Sequence, residues 1–76
     1  MKKILLISAG HEAVPGIVFA KKNNLKTIVV DQDKNAPGFQ YADYKIYSST
    51  YNYIDIINNL EKKKLAKKID GILSLS

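Results

Sequence analysis

An unbroken apolar run, Ile4-Leu5-Leu6-Ile7, passes directly into the small residues Ser8-Ala9-Gly10, then His11-Glu12-Ala13-Val14 and Pro15. The run is too short for a helix and matches a strand buried on both faces. Proline suits the first turn of a helix, where its missing N–H has no partner to lose. Behind it Ala13, Ile17 and Ala20 fall on one stripe, flanked by Val14 and Val18, so a helix is predicted from about Pro15 to Lys22. The unit reads as strand, tight turn, helix N-terminus. In an open parallel sheet such turns line the ligand crevice, and exposed N–H groups with the helix dipole favour an anion there. A tight βα turn with no ligand is the plainer reading of the same residues.

The rest of the chain repeats the unit. Asn23-Asn24 supply a helix C-cap, and Leu25 to Val30 form a second strand rich in β-branched residues. Asp31 opens a polar, turn-rich stretch ending in Pro37-Gly38, and Phe39 to Asp43 allow one or two helical turns. A short third strand is expected at Tyr44 to Tyr47, its lysine marking an edge position. Asn52 and Asp55 form a capping box for a last helix, Tyr53 to about Lys68, with Tyr53, Ile56, Ile57 and Leu60 on one face. Ile69 to Leu75 is a fourth strand. The pattern is that of a doubly wound half-fold. It predicts a Rossmann-like α/β domain with a four-stranded parallel sheet in the order 3-2-1-4 and helices on both faces. The switch point then lies between Ser8-Ala9-Gly10 and Ser74-Leu75-Ser76.

Composition narrows the function. At 76 residues the chain makes one small domain, able to bury only roughly 60% of its unfolded surface. It has no cysteine and one histidine, His11, which leaves no disulfide framework, thiolate zinc site, cysteine nucleophile or multi-histidine metal site. That usage fits a cytoplasmic protein, and no apolar run reaches membrane-spanning length. The net charge of +5 invites a nucleic-acid reading. Against it, Lys62, Lys63, Lys64, Lys67 and Lys68 gather at the end of the predicted last helix, where cations complement the dipole. Arginine, which makes the commonest specific base contact, is absent.

Ser8-Ala9-Gly10-His11-Glu12-Ala13 overlays the dinucleotide fingerprint G-x-G-x-x-G/A with serine at the first glycine, and Asp31 stands where a ribose-binding acid would. The missing glycine raises the steric cost of the turn, and Glu12 places a carboxylate near the pyrophosphate position. His11 with Glu12 resembles an acid/base pair, yet no nucleophile accompanies them. Asp70 before Gly71 either lines the crevice or makes a helix-to-strand turn. The five tyrosines read as half-buried edge residues rather than a stacking platform.

Five stretches fall in the order and spacing of one family: Lys3 to Gly10, Thr27-Ile28-Val29-Val30-Asp31, Asn35-Ala36-Pro37-Gly38, Ala42-Asp43 and Ile69-Asp70-Gly71-Ile72-Leu73. Over essentially its whole length the chain resembles the N-terminal, pre-ATP-grasp domain of ATP-grasp ligases. That group includes carbamoyl-phosphate synthase large-subunit-like proteins, purine-pathway carboxylases and biotin carboxylase. The resemblance implies a fragment, residues 1–76, of an ATP-dependent carboxylate–amine ligase working through an acyl phosphate, inactive without its C-terminal ATP-grasp domains. By that likeness Ser8, Ala9, Gly10, His11 and Asp31 line the pocket of a small-molecule substrate. Catalytic residues, metal ligands and any cofactor of the fragment itself are expected to be absent, ATP and magnesium belonging to the full-length parent. Neither nucleic acid nor membrane is an expected partner, and a homodimer is left open. The alternatives are a Rossmann half of an NAD(P)-dependent oxidoreductase and a stand-alone metabolite- or protein-binding module.

Overall fold

A computed structural model describes residues 1–75. The strands are β1 (Lys3–Ile7), β2 (Lys26–Asp31), β3 (Tyr44–Tyr47) and β4 (Ile69–Ser74). The helices are α1 (Val14–Lys22) and α2 (Tyr53–Lys62), with single 3-10 turns at His11–Ala13 and Pro37–Tyr41. All pairings are parallel and the sheet order is β3-β2-β1-β4, as the alternation of strand and helix signals predicts.

Side chains of β1 and β2 alternate between two cores because successive Cβ atoms point to opposite faces. On one face Leu5, Ile28, Val30 and Ile46 meet Ile56, Leu60 and Leu65, on α2 and just after it. On the other, Leu6 and Val29 meet Ala13 and Ile17 of the first helical segment, with Ala9, Ala36 and Phe39. Each fully buried aliphatic side chain contributes ~1.5–3 kcal/mol, so β2, buried from Thr27 to Val30, anchors the sheet. The small stripe Ala13 and Ala20 lets α1 lie close to the strands.

Both helices end in the same device. Asn24 adopts φ 62°, the Leu25 N–H donates to the Ala20 carbonyl and the Asn24 N–H to that of Lys21, a Schellman closure. Lys64 does likewise at φ 58°, with Leu65 N–H on the Leu60 carbonyl at 2.8 Å. The last helix therefore stops at Lys62, six residues short of the expected Lys68. Burying Leu65 beside Leu60 outweighs the cost of a left-handed lysine. Lys67 and Lys68 lie in the connection to β4 rather than on a helix end. Of the capping box only half forms: Asn52 Oδ1 accepts from the Asp55 N–H at 3.0 Å, while the Asp55 carboxylate takes the Ser48 hydroxyl.

Three acids tie strand starts and ends together. Asp43 accepts from both the N–H and the hydroxyl of buried Thr27 and pairs with Lys21 at 3.3 Å. Burial acts to raise its pKa. The hydrogen bond from the Thr27 N–H, the nearby Lys21 ammonium and the Thr27 hydroxyl together outweigh it, leaving the carboxyl below its usual value. Asp70 accepts the Lys3 N–H at 2.8 Å, at the N-terminal end of the strands. Asp70 therefore does not line the crevice. The third acid, Asp31, belongs to the opposite end. Among the described residues no helix is long and apolar enough to cross a membrane.

Candidate functional site

The βα turn after β1 sits at the C-terminal end of the central strands, at the switch point where the order of strand addition reverses between β1 and β4. Ser8 is buried and has φ 103°, in the region that favours glycine. This is the position of the missing first glycine in the fingerprint, and a backbone outlier there stores roughly 1–3 kcal/mol. The turn is held by its neighbours. The Ser8 N–H donates to the Val30 carbonyl at 2.8 Å, and the Ala9 N–H to Asp31 Oδ2 at 2.9 Å. Asp31 Oδ1 accepts the Asp33 N–H at 3.0 Å, so one carboxylate fixes two loops at once. The Ala9 carbonyl in turn takes the Gly38 N–H at 2.7 Å.

Gly38 matters through space rather than torsion. A Cβ on it would stand 2.6 Å from Ile17 Cδ1 and 2.8 Å from the Ala9 carbonyl oxygen, closer than real atoms approach. The Pro-Gly pair marks a turn in the sequence; its service to the β1 turn is a spatial one that the sequence does not signal. Gly10, by contrast, has an ordinary φ of −65°. The nearest neighbours of a Cβ there would be the Glu12 carboxylate atoms, with Oε1 at 2.7 Å. Glu12 thus folds back over Gly10, its Oε1 3.5 Å from Ser8 Oγ, and puts a carboxylate at the turn that an anion would otherwise approach. His11 is exposed on the first 3-10 turn.

Of the five candidate residues, Ser8, Ala9, Gly10 and His11 form one continuous turn and Asp31 clamps it from below. Their side-chain roles differ. Asp31 and Ala9 are structural neighbours bonded to each other, while His11 faces solvent. None of the five lines the nearby crevice of about 250 Å³ at the C-terminal ends of β1 and β4, which is walled by Ile7, Thr50, Tyr51, Tyr53, Ile72 and Ser74. Tyr51 and Tyr53 are 87% and 71% exposed, not the half-buried edge residues expected. The signal that could have found them is topological, since the loop after β3 must also surface at the strands' C-terminal ends. Leu75 packs near Gly16 on the α1 face, and Ser76 lies outside the described residues.

Comparison with known proteins gives this arrangement its relatives. No protein-family model matches the chain. A 61-residue stretch is 34% identical to formate-dependent phosphoribosylglycinamide formyltransferase of Prochlorococcus marinus (strain MIT 9515), covering 80% of this chain and 16% of that protein. The crystal structure of N5-carboxyaminoimidazole ribonucleotide synthetase from Thermotoga maritima superposes with a TM-score of 0.70 at 29% identity, over 82% of this chain and 17% of that one. An ADP complex of an N5-carboxyaminoimidazole ribonucleotide synthetase gives 0.75 at 29%, over 96% and 18%. Its homologues are ATP-grasp ligases. The Staphylococcus aureus N5-carboxyaminoimidazole synthetase complexed with ADP, at 20% identity and a TM-score of 0.77 over 96% of this chain and 18% of that one, adds the fold alone. The four parallel strands and two flanking helices are those of the ATP-grasp N-terminal domain. These ATP-grasp relatives are purine-pathway enzymes rather than carbamoyl-phosphate synthases, and the chain spans about one sixth of their length.

Proposed function

We propose that this chain is the substrate-side N-terminal domain of an ATP-dependent carboxylate–amine ligase. The observation that carries the reading is the strained turn at Ser8, pinned by Asp31 and Gly38 and opening at the β1/β4 switch point. Strain of this kind persists where surrounding contacts over-determine it and clusters at ligand sites. Ser8, Ala9 and Gly10 form the floor of the non-nucleotide pocket, and His11 stands at its rim. Asp31 acts as a positioning residue that holds the Ala9 N–H. Relatives solved with ADP support the use of ATP by the longer protein, whose remaining segments would hold the nucleotide and magnesium. Three relatives handle a phosphoribosyl or ribonucleotide compound by name, one as a formyltransferase and two as synthetases of a ribonucleotide. A phosphate entering this turn would have to displace the Glu12 carboxylate from Gly10.

The test is kinetic, on the longer protein. His11→Ala is expected to raise KM for the non-nucleotide substrate severalfold and leave KM for ATP unchanged. Equal changes in both would place the nucleotide at this turn and refute the assignment. The 76-residue chain titrated with magnesium and ATP, or with NAD, is expected to give no saturable amide shifts at micromolar ligand around Gly10 and Ser74. Such shifts with NAD would favour the oxidoreductase alternative.

A further inference from the structure

The end of the sheet where the strands begin carries most of the chain's charge. Lys2 and Lys3 lead into β1 and Lys26 opens β2, while Lys21 and Lys22 end α1 beside them. Five more lysines lie between the last turn of α2 and the start of β4, from Lys62 to Lys68. Ten of the twelve lysines therefore share this end, against the acids Asp43, Glu61 and Asp70, a surplus of seven. Asp43 pairs with Lys21, and no other ion pair forms among the described residues. Both helix C-termini point the same way, but at about half a charge each they offset only one lysine.

Two local features show the charge gathered at a cost. Lys3 and Lys26 are register partners on neighbouring strands, where like charges repel. They stand two residues before Leu5 and Ile28, so they share the α2 face with the lysines that follow α2. Lys64 and Lys68 both hold left-handed φ, 58° and 60°, which glycine or asparagine adopts more cheaply; the corresponding residue after α1 is Asn24. In the sequence Lys62 to Lys68 read as cations complementing one helix end. In the fold α2 stops at Lys62 and lysines from β1, α1 and β2 join them, so the helix dipole accounts for few of the ten.

We propose that this end of the sheet, centred where Lys3 and Lys26 meet the α2–β4 connection, binds nucleic acid through its phosphates without reading sequence. Lysines clustered on one face of a basic domain are the electrostatic footprint of such a partner. Arginine is absent, so the fork that reads guanine is missing, and the ammonium groups act as point charges on phosphate oxygens. Lysine is depleted from protein interfaces, which sets an acidic protein partner second. The Cα atoms extend 27 Å at most, the rise of about eight base pairs. A duplex across this face meets about four to six of the lysines, so log K is expected to fall against log salt with a slope of about −4 to −5. The inference goes beyond the ligase reading and stands without it, since the crevice lies at the opposite end of the strands.

The test is fluorescence anisotropy of a labelled DNA duplex titrated with the 76-residue chain at about 50 to 200 mM salt. Micromolar binding is expected at the low-salt end, alike for two unrelated sequences. Lys63→Gln/Lys67→Gln is compared with Lys34→Gln/Lys45→Gln, which lowers the net charge equally but away from this face. All four side chains are exposed, and urea midpoints within about 0.5 kcal/mol establish that both variants fold. The first is expected to lose at least about tenfold in affinity and to flatten the salt slope by about 2. The second is expected to lose less than about threefold. Equal losses would mean that net charge alone is at work and would overturn the assignment of this face, as would the absence of salt-dependent binding. Binding of a polyglutamate peptide as tight as that of the duplex overturns the proposal in favour of an acidic protein, and binding of phosphatidylserine vesicles alone in favour of a membrane surface.

Discussion

Replacing Asp31 with alanine tests whether one carboxylate holds the β1 turn. Ala9 is fully buried, and its N–H has the Asp31 carboxylate as partner at 2.9 Å. Without it a buried donor is left unmet, at a cost of ~1–3 kcal/mol. The Asp33 N–H lies in an exposed loop and can turn to water, so it adds little. A domain of this size has a total stability of roughly 4–11 kcal/mol, which makes the loss a sizeable share. With a urea m-value near 1 kcal/mol/M for a small protein, the midpoint is expected to fall by about 1–3 M. Asp31→Asn keeps one carbonyl oxygen for Ala9 and is expected to recover at least about half of the loss. The measurement is equilibrium urea unfolding followed by far-ultraviolet circular dichroism. An Asp31→Ala protein within about 0.5 kcal/mol of the unsubstituted chain would refute the clamp, because that is the range of surface substitutions without a structural role.

Gly38→Ala forces a methyl against the Ala9 backbone and Ile17, and thermal unfolding is expected to report a loss of ~1–3 kcal/mol; an unchanged midpoint would mean the loop can back away. Ser8→Gly is expected to stabilise the fold by up to about 1 kcal/mol, since relief of a positive φ exceeds the loss of two long hydrogen bonds. A destabilised Ser8→Gly protein would show that the hydroxyl carries the turn. Asp43 is held below its ordinary pKa, so the stability it contributes is present above the unfolded value and disappears as pH falls through the folded one. Urea midpoints measured from pH 6 down to pH 2 should therefore drop less steeply in Asp43→Asn, and parallel profiles would refute the linkage.

Strand order, polarity and the two-faced packing were legible because the relevant residues are local. Leu5 and Leu6 alternate within one apolar run, and α1 and α2 each separate two such runs. What escaped was set by contacts across the chain. The end of α2 depends on Leu65 folding back to Leu60, which no periodicity through Lys62 to Lys68 displays. The strain at Ser8 was legible by contrast, because the fingerprint wants glycine there, and the positive φ falls on that residue where the backbone leaves β1. Asp31 stood at the right place for a ribose ligand, and only the fold reveals that its two oxygens are engaged by Ala9 and Asp33. Tyr51 and Tyr53 seemed ordinary until the loop after β3 reached the crevice.

The parallel sheet also sorts the charges. Lys2, Lys3 and Lys26 stand at the strand starts, Lys21, Lys22 and Lys62 at the helix ends that meet them, and Lys67 and Lys68 just before β4. The loops at the strands' other end hold Glu12, Asp33 and a single lysine, Lys34, with Asp31 closing β2 beside them. A chain of net charge +5 is thus an electric dipole whose positive pole faces away from its own crevice. Long-range attraction draws anions to the wrong end, so an anionic substrate approaching the Ser8 turn gains nothing from the overall charge, and its capture would be steered by cations contributed from elsewhere.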